Sequence, residues 1–208
     1  MHWNSQLYAK VPKVTFLLKS NAKTCYTVFM DAKKIIKEAA YALISKKRIE
    51  DVTLKEILEA STLSKQTFYR YYDDKYAMSN ELYDELFVKP FYTLSGALNS
   101  ATWKQVYFRQ FQAYRTHLAF AQHVFSSRET GCATEHEIAS VIAFDRKWIA
   151  RRGGNPDDPL LDFAIQAKDV GGTFAMRDWI LSGMKTSDSD MVYFFSRIIP
   201  EVLQQFYV

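Results

Sequence analysis

Residues 53–75 read TLKEILEASTLSKQTFYRYYDDK: two short helical runs around a small polar break, ending in four aromatic rings within five residues. Thr53 can cap a helix start, and Glu56, three residues on, completes a capping box by reaching back to the Thr53 backbone. Leu54, Ile57 and Leu58 recur at helical spacing and predict one buried side. Ser61 and Thr62 interrupt the run, and Ser64 can cap a second short helix over KQTFYRYY. Runs of about two turns do not hold in water alone, so packing must hold them. The packing partner stands just upstream. Ile35, Ile36, Ala39, Ala40, Leu43 and Ile44 form one apolar stripe of a longer helix expected to start at an Asp31 cap and stop in KKRIED. Asp73 or Asp74 can cap a fourth helix through YAMSNELYDEL.

Two capped short helices braced by a longer one form a helix-turn-helix pattern. In that motif the start of the second helix reaches the base edges in the major groove. Lys65, Gln66 and Thr67 are the candidates for base contact: Lys donates to guanine, Gln pairs with adenine, and Thr meets a thymine methyl. Thr53 and Ser64, at helix starts, are candidates for phosphate contact through the N–H groups and dipole there. Tyr69, Arg70 and Lys75 join them as phosphate candidates, because Tyr69 lies off the buried stripe with the two cations beside it. Phe68 and Tyr72, four apart, are expected to face Ile57 and the first helix together with Leu63; the side taken by Tyr71 stays open.

The run ASTLSKQTFYRYYDDK, residues 60–75, resembles the DNA-binding signature of the TetR/AcrR family of bacterial transcription regulators. The resemblance covers roughly residues 31–77. Thr62 stands where that family usually has Gly, and a non-Gly residue at positive φ is unfavourable, so either the turn is altered or strain is tolerated there. Gln66 replaces a common small residue. The pattern QTFY..Y.DKY further resembles a subgroup related to dihydroxyacetone-kinase regulators, and VGGTFAMRDWILSG, residues 170–183, looks like the family's dimer-forming penultimate helix. The resemblance implies an all-α homodimer on a roughly palindromic double-stranded operator, most commonly a repressor relieved by a small-molecule effector. It divides the chain into an extension (1–30), a DNA-binding domain (31–77) and an effector-binding and dimerisation domain (78–208).

Composition agrees with a helical protein. Of 208 residues, 48% are apolar and 24% charged, while seven Gly and five Pro leave little material for the turns of an all-β fold. Residues 1–75 carry 14 Lys/Arg against 8 Asp/Glu, and the rest carry 13 against 15, so the net charge of +4 is concentrated around the helix-turn-helix. That asymmetry fits a polyanionic partner or, on charge alone, a solvated basic face. Cys25 and Cys132 stand alone, which argues against a disulfide framework or a zinc site and for a reducing, cytoplasmic setting. The apolar VTFLL stretch is too short to span a bilayer, so no membrane partner is expected. Residues 1–30 show no clear period. They are expected to be a tail, with Met30 a candidate start.

Downstream, helices are expected near 80–98, 103–127, 134–152, 160–184 and 188–207, with a loop at GGNPDDP, 153–159. Candidate effector-pocket residues are Tyr107, Phe111, Tyr114, Arg115, His117, Trp148, Met176 and Arg177: aromatic walls, with Arg115, His117 or Arg177 to orient an anion. Against this stands plain core packing, the commoner fate of an aromatic stripe. Candidate dimer-interface residues are Gly171, Gly172, Phe174, Trp179, Phe194, Phe195, Ile198 and Val202, because the last two helices are apolar over more than one face. Enzyme signatures fail. HEIAS at 136–140 lacks the second His of a zinc-protease helix, and no phosphate loop, nucleophile elbow or dinucleotide fingerprint occurs. No cofactor, metal or catalytic residue is therefore expected. Two rivals remain: a DNA-binding regulator controlled by a protein partner or by no ligand, and a helical binding or enzymatic protein whose helix-turn-helix only packs.

Overall fold

The computed structural model describes the backbone of residues 22–90 and 100–207; side chains are described over 32–90 and 103–207. No strand occurs among the described residues. Helix α1 spans Ala22–Ile44, α2 Leu54–Ser61, α3 Lys65–Tyr69 and α4 Lys75–Tyr83, the last running on into a wider turn, Asp84–Val88. Then follow α5 (Ser100–Thr116), α6 (Leu118–Phe125), α7 (Ala133–Arg151), α8 (Pro159–Leu181), α9 (Asp188–Arg197) and α10 (Glu201–Gln204). The architecture is all-α, with the helix-turn-helix at the N-terminal end and a larger helical part after it.

Local chemistry sets most of these boundaries. Thr53 accepts from the Glu56 N–H (3.2 Å) while the Glu56 carboxylate accepts from the Thr53 N–H (2.9 Å), closing the capping box of α2. Ser64 caps α3 through the Thr67 N–H (3.1 Å), and Asp74, rather than Asp73, caps α4 through the Ala77 N–H (2.8 Å). Asp158 caps α8 with Pro159 at its first position, where a missing N–H costs nothing. Four boundaries differ from expectation. The helix over KQTFYRYY ends at Tyr69, with Arg70 and Tyr71 in a turn. Helix α1 starts at Ala22, so Asp31 lies inside it and is no cap. The expected 103–127 helix breaks at His117 (φ −113°, ψ 36°), and the expected 188–207 helix breaks before Pro200, which cannot continue the ladder. Most of the C-terminal half of the expected 80–98 helix lies outside the described residues.

One apolar core runs without interruption from α1 through α2–α4 into α5, α6 and α8. It includes Ile36, Ile44, Ile57, Phe68, Met78, Tyr83, Phe111, Phe120 and Ile180. Phe68 and Tyr72 are buried in it, as their spacing implies. A second cluster, built on Trp103, Trp148, Ile165, Leu203 and Tyr207, anchors the C-terminus, where the Trp148 and Trp103 indoles donate to the Phe206 and Tyr207 carbonyls (2.8 and 3.2 Å). The division drawn at 77/78 falls inside α4, whose buried face belongs to the same core as the helices on either side.

Candidate nucleic-acid interface and a buried acidic cavity

Because Phe68 and Tyr72 point inward, the remaining residues of α3 face solvent. Ser64, Lys65, Gln66, Tyr69 and Arg70 are exposed, Thr67 is half-buried, and Thr53 and Lys55 are exposed on α2. Tyr69, 49% exposed, packs its ring edge-to-face on Phe68, with the Lys65 ammonium 5.7 Å above the ring face. A ring braced this way holds its hydroxyl on the outer surface with two χ angles instead of a long flexible stem. Thr67 shares a hydroxyl contact with Ser64 (2.9 Å), so both hydroxyls are engaged in the cap. Thr53 is engaged likewise: its hydroxyl donates to Glu56 (2.9 Å), whose carboxyl the Lys47 ammonium and Thr53 hold down at about 2.

The turn between α2 and α3 settles the Thr62 question. Thr62 sits in the left-handed region (φ 56°, ψ 27°), and the following Leu63 N–H reaches back to the Leu58 carbonyl (3.3 Å). The turn therefore keeps the geometry a glycine would give, and the strain is carried by a β-branched residue. Lys75 departs from its expected place. Its ammonium donates to the Ile49, Glu50 and Val52 carbonyls (2.7, 2.9 and 2.9 Å), pinning the loop between α1 and α2 to the start of α4. Its burial lowers its pKa, and all three donors already have acceptors inside the fold.

The expected effector residues scatter. Tyr107 and Met176 line a cavity between α5, α7, α8 and α9. Phe111 and Tyr114 are core, Tyr114 meeting the Tyr83 hydroxyl at 2.5 Å. Arg115 pairs with Asp188 (2.6 Å), His117 meets the Tyr41 hydroxyl (2.8 Å), and Arg177 donates to the Phe125 carbonyl (2.8 Å). Trp148 belongs to the second cluster, with the Arg152 guanidinium 4.1 Å above its ring. The arginines thus tie helix ends together, and none of these cations lines the cavity. Three acids and one lysine do: Glu137, Asp145, Asp169 and Lys168. Lys168 bridges Asp145 (2.7 Å) and Asp169 (2.5 Å), and Tyr207 donates to Asp145 (2.5 Å). Burial pushes the Glu137 carboxyl up to about 7, against a hydrogen bond from Tyr83. Asp169 is likewise raised to about 7, by burial that outweighs the pull of Lys168, with repulsion from Asp145 and Glu137 adding to the rise. The sequence did hold a signal for these acids. Thr134, Glu137, Val141, Asp145 and Trp148 fall on one face of α7, and Asp169, Thr173 and Met176 on one face of α8, so charge sits in phase with the buried stripe.

The expected interface residues also divide. Phe174, Phe194 and Ile198 are exposed, together with Leu160, Phe163 and Tyr193, and Gly171 is open. Trp179 instead packs on Phe111 inside the subunit, and Val202 against the second cluster. A Cβ on Gly172 would meet Phe195 of the same chain at 3.3 Å, so its small size serves the approach of α9 to α8, and Phe195 fills that gap.

A capped helix-turn-helix with a basic, solvent-facing second helix, mounted on a larger helical body, defines a DNA-binding regulator. Residues 36–82 match the family described as bacterial regulatory proteins, tetR family, so this part of the chain carries a TetR-type DNA-binding domain. Among solved structures, the chain is similar to the dihydroxyacetone kinase operon activator DhaS, with a TM-score of 0.55 and 14% identity, over 85% of this chain and 97% of that one. At that identity the likeness concerns the fold. No curated protein matches the chain significantly. Among the described residues no helix is long and apolar enough to cross a membrane, and no group of three or more His, Cys, Asp or Glu could hold a metal ion.

Proposed function

We propose that the chain is a homodimeric transcription regulator, acting as a repressor, whose affinity for a roughly palindromic operator is set by a small molecule held in the cavity between α5, α7, α8 and α9. The observation that carries the DNA half is the start of α3: Ser64 to Gln66 exposed at a capped helix start, with Tyr69 braced beside them. Lys65, Gln66 and Thr67 are assigned to base edges, and Thr53, Ser64, Tyr69 and Arg70 to phosphates; Lys75 acts indirectly, by fixing α4. The exposed band of Phe163, Phe174, Tyr193, Phe194 and Ile198 on α8 and α9 supports association of two subunits through those helices. Such a pair would set its recognition helices about 34–36 Å apart, one turn of the duplex.

The ligand half rests on a chain of contacts. Glu137 at the cavity sits beside the Tyr83 hydroxyl on α4, and His136 beside it holds Asp84 (2.7 Å). From α4 and the turn after it, Glu81 and Glu85 grip Lys37 of α1 (3.2 and 2.5 Å). A ligand that favours one placement of α4 therefore favours one spacing of the recognition helices. Activation, the role in the description of the similar DhaS structure, would use the same module, and a reporter fused to the operator gives the sign: removal of a repressor raises expression.

The deciding experiment is a titration of the full chain against its own upstream DNA and a scrambled duplex at two salt concentrations. Sequence-dependent binding that weakens steeply with salt supports the reading. Gln66→Ala should relax preference at one base step, whereas Tyr69→Phe should weaken binding on all sequences. Equal, weak binding to both duplexes and to genomic fragments would overturn it in favour of a helix-turn-helix that only packs.

A further inference from the structure

We infer that the cavity between α5, α7, α8 and α9 is a site for a small organic ammonium ion, held by the carboxylates of Glu137 and Asp169. The inference rests on the effector reading above and names its chemical class. Glu137 is 2% exposed and Asp169 4%, and Glu137 Oε2 and Asp169 Oδ2 are buried without a hydrogen-bond partner. Both residues line the cavity. Native folds seldom leave a buried carboxylate oxygen orphaned, because the lost hydration is costly. Charge points the same way. Three carboxylates face one ammonium, so with all groups ionised the site carries an excess of two negative charges. Lys168 is already committed to Asp145 Oδ2 and Asp169 Oδ1, which leaves the two orphan oxygens for a second cation.

Size and wall chemistry narrow the class. The cavity has ≈ 40 Å³ of water-sized space. One water needs roughly 10–15 Å³ on that measure, so the space takes about three such groups, far from the roughly 300–1,000 Å³ of a typical drug-sized pocket. A head with several N–H donors satisfies two carboxylates at once, and the rings of Trp103, Tyr107, Phe144 and Phe195 in the wall suit a cation or a short alkyl chain. Lys168 already occupies the space between Asp145 and Asp169, and among the described residues no group of three or more His, Cys, Asp or Glu is placed to hold a metal ion.

The test uses the full chain and three probes of one length at equal ionic strength: propylammonium chloride, propan-1-ol and sodium propionate. Calorimetry should show saturable binding of propylammonium alone, with a Kd on the order of 1 mM for so small a probe. Glu137→Gln and Asp169→Asn should each weaken it about tenfold, the loss of one charge-assisted hydrogen bond. Equal binding of propan-1-ol or propionate, or variants that bind propylammonium as the parent does, would overturn the inference. Should either variant not fold, the three-probe comparison on the parent still decides. Operator binding is measured on the same samples. Operator recognition without propylammonium binding sinks the cation site and leaves the regulator; propylammonium binding without operator recognition does the reverse.

Discussion

Replacing Glu137 by Gln should make the protein more stable above neutral pH and leave it unchanged in mild acid. The Glu137 carboxyl is fully buried against α4, α5 and α8, where Tyr83, Asp84, Tyr114, Asp169 and its own neighbour His136 are the ionisable groups around it. Burial, partly offset by the Tyr83 hydrogen bond and by His136, moves its pKa from 4.5 to about 7. The folded state thus holds a proton between those values that the unfolded chain has released. The associated stability is fully present below 4.5 and is lost as pH rises through 7. The shift corresponds to roughly 3 kcal/mol. Gln has the same shape, its amide oxygen can still accept from Tyr83, and it carries no charge at any pH. Parent and variant should therefore melt together near pH 4.5 and separate by pH 8, the variant higher by about 6–12 °C at 2–4 °C per kcal/mol for a chain of this size. Thermal melts followed by far-ultraviolet circular dichroism at the two pH values measure this. Parallel losses in both proteins would refute the reasoning, because the buried charge would then not be where the pH dependence originates.

Thr62→Gly should raise Tm, because the left-handed turn (φ 56°) costs a β-branched residue about 1–2 kcal/mol and glycine only part of that in chain entropy; operator affinity should not move. Lys75→Met should lower stability by about 1–2 kcal/mol through three deprived carbonyls while leaving the slope of log K against log salt intact; a slope smaller by about one would instead place Lys75 at a phosphate. Phe174→Lys combined with Phe194→Lys should shift sedimentation towards a folded monomer, and an unchanged species would put the subunit contact elsewhere. Tyr83→Phe keeps the ring among Phe87, Phe125 and Tyr114 but removes the hydroxyl between Glu137 and Tyr114. It should leave propylammonium binding within a few-fold and abolish the amine's effect on operator affinity, measured by anisotropy with and without saturating amine.

What could be read in the sequence was local. Thr53, Ser64 and Asp74 announce helix starts because a short polar side chain three residues ahead of a waiting N–H is a geometric device confined to one turn. Phe68 and Tyr72 announce burial because they share a helix face with no charge on it. The break at His117 had no such marker, since neither Gly nor Pro stands there and the tertiary hydrogen bond to Tyr41 is made 76 residues away in the chain. The roles of Arg115 and Arg177 were hidden for a related reason: a cation near an aromatic run reads as ligand chemistry until the carbonyl or carboxylate it ties down is seen. The acidic cluster lay on the buried phase of α7 and α8, but aromatic residues on α5 drew the pocket reading away from it. Gly172 shows how one signal serves two meanings, since a small residue in a helix reports close approach without saying whether the neighbour is another subunit or, as here, Phe195.

The position of the acids gives the coupling argument a scale. A tenfold change in operator affinity requires about 1.4 kcal/mol of differential stabilisation between two placements of the DNA-binding helices. Ionising Glu137 in its buried site involves roughly 3 kcal/mol, so a cation that neutralises it has more than enough free energy available, provided part of it depends on where α4 lies. The contacts around α4 support that condition. Its Tyr83 touches the acid, its Asp84 extension holds His136 on the same helix as the acid, and its outer face, through Glu81 and the following Glu85, holds Lys33 and Lys37 of α1. One helix thus packs in the core shared with the DNA-binding helices and, through Tyr83, touches an acid of the cavity. On the proposed reading, an uncompensated charge behind it, a local event in α7 and α8, would reach the recognition helix through the packing of the shared core.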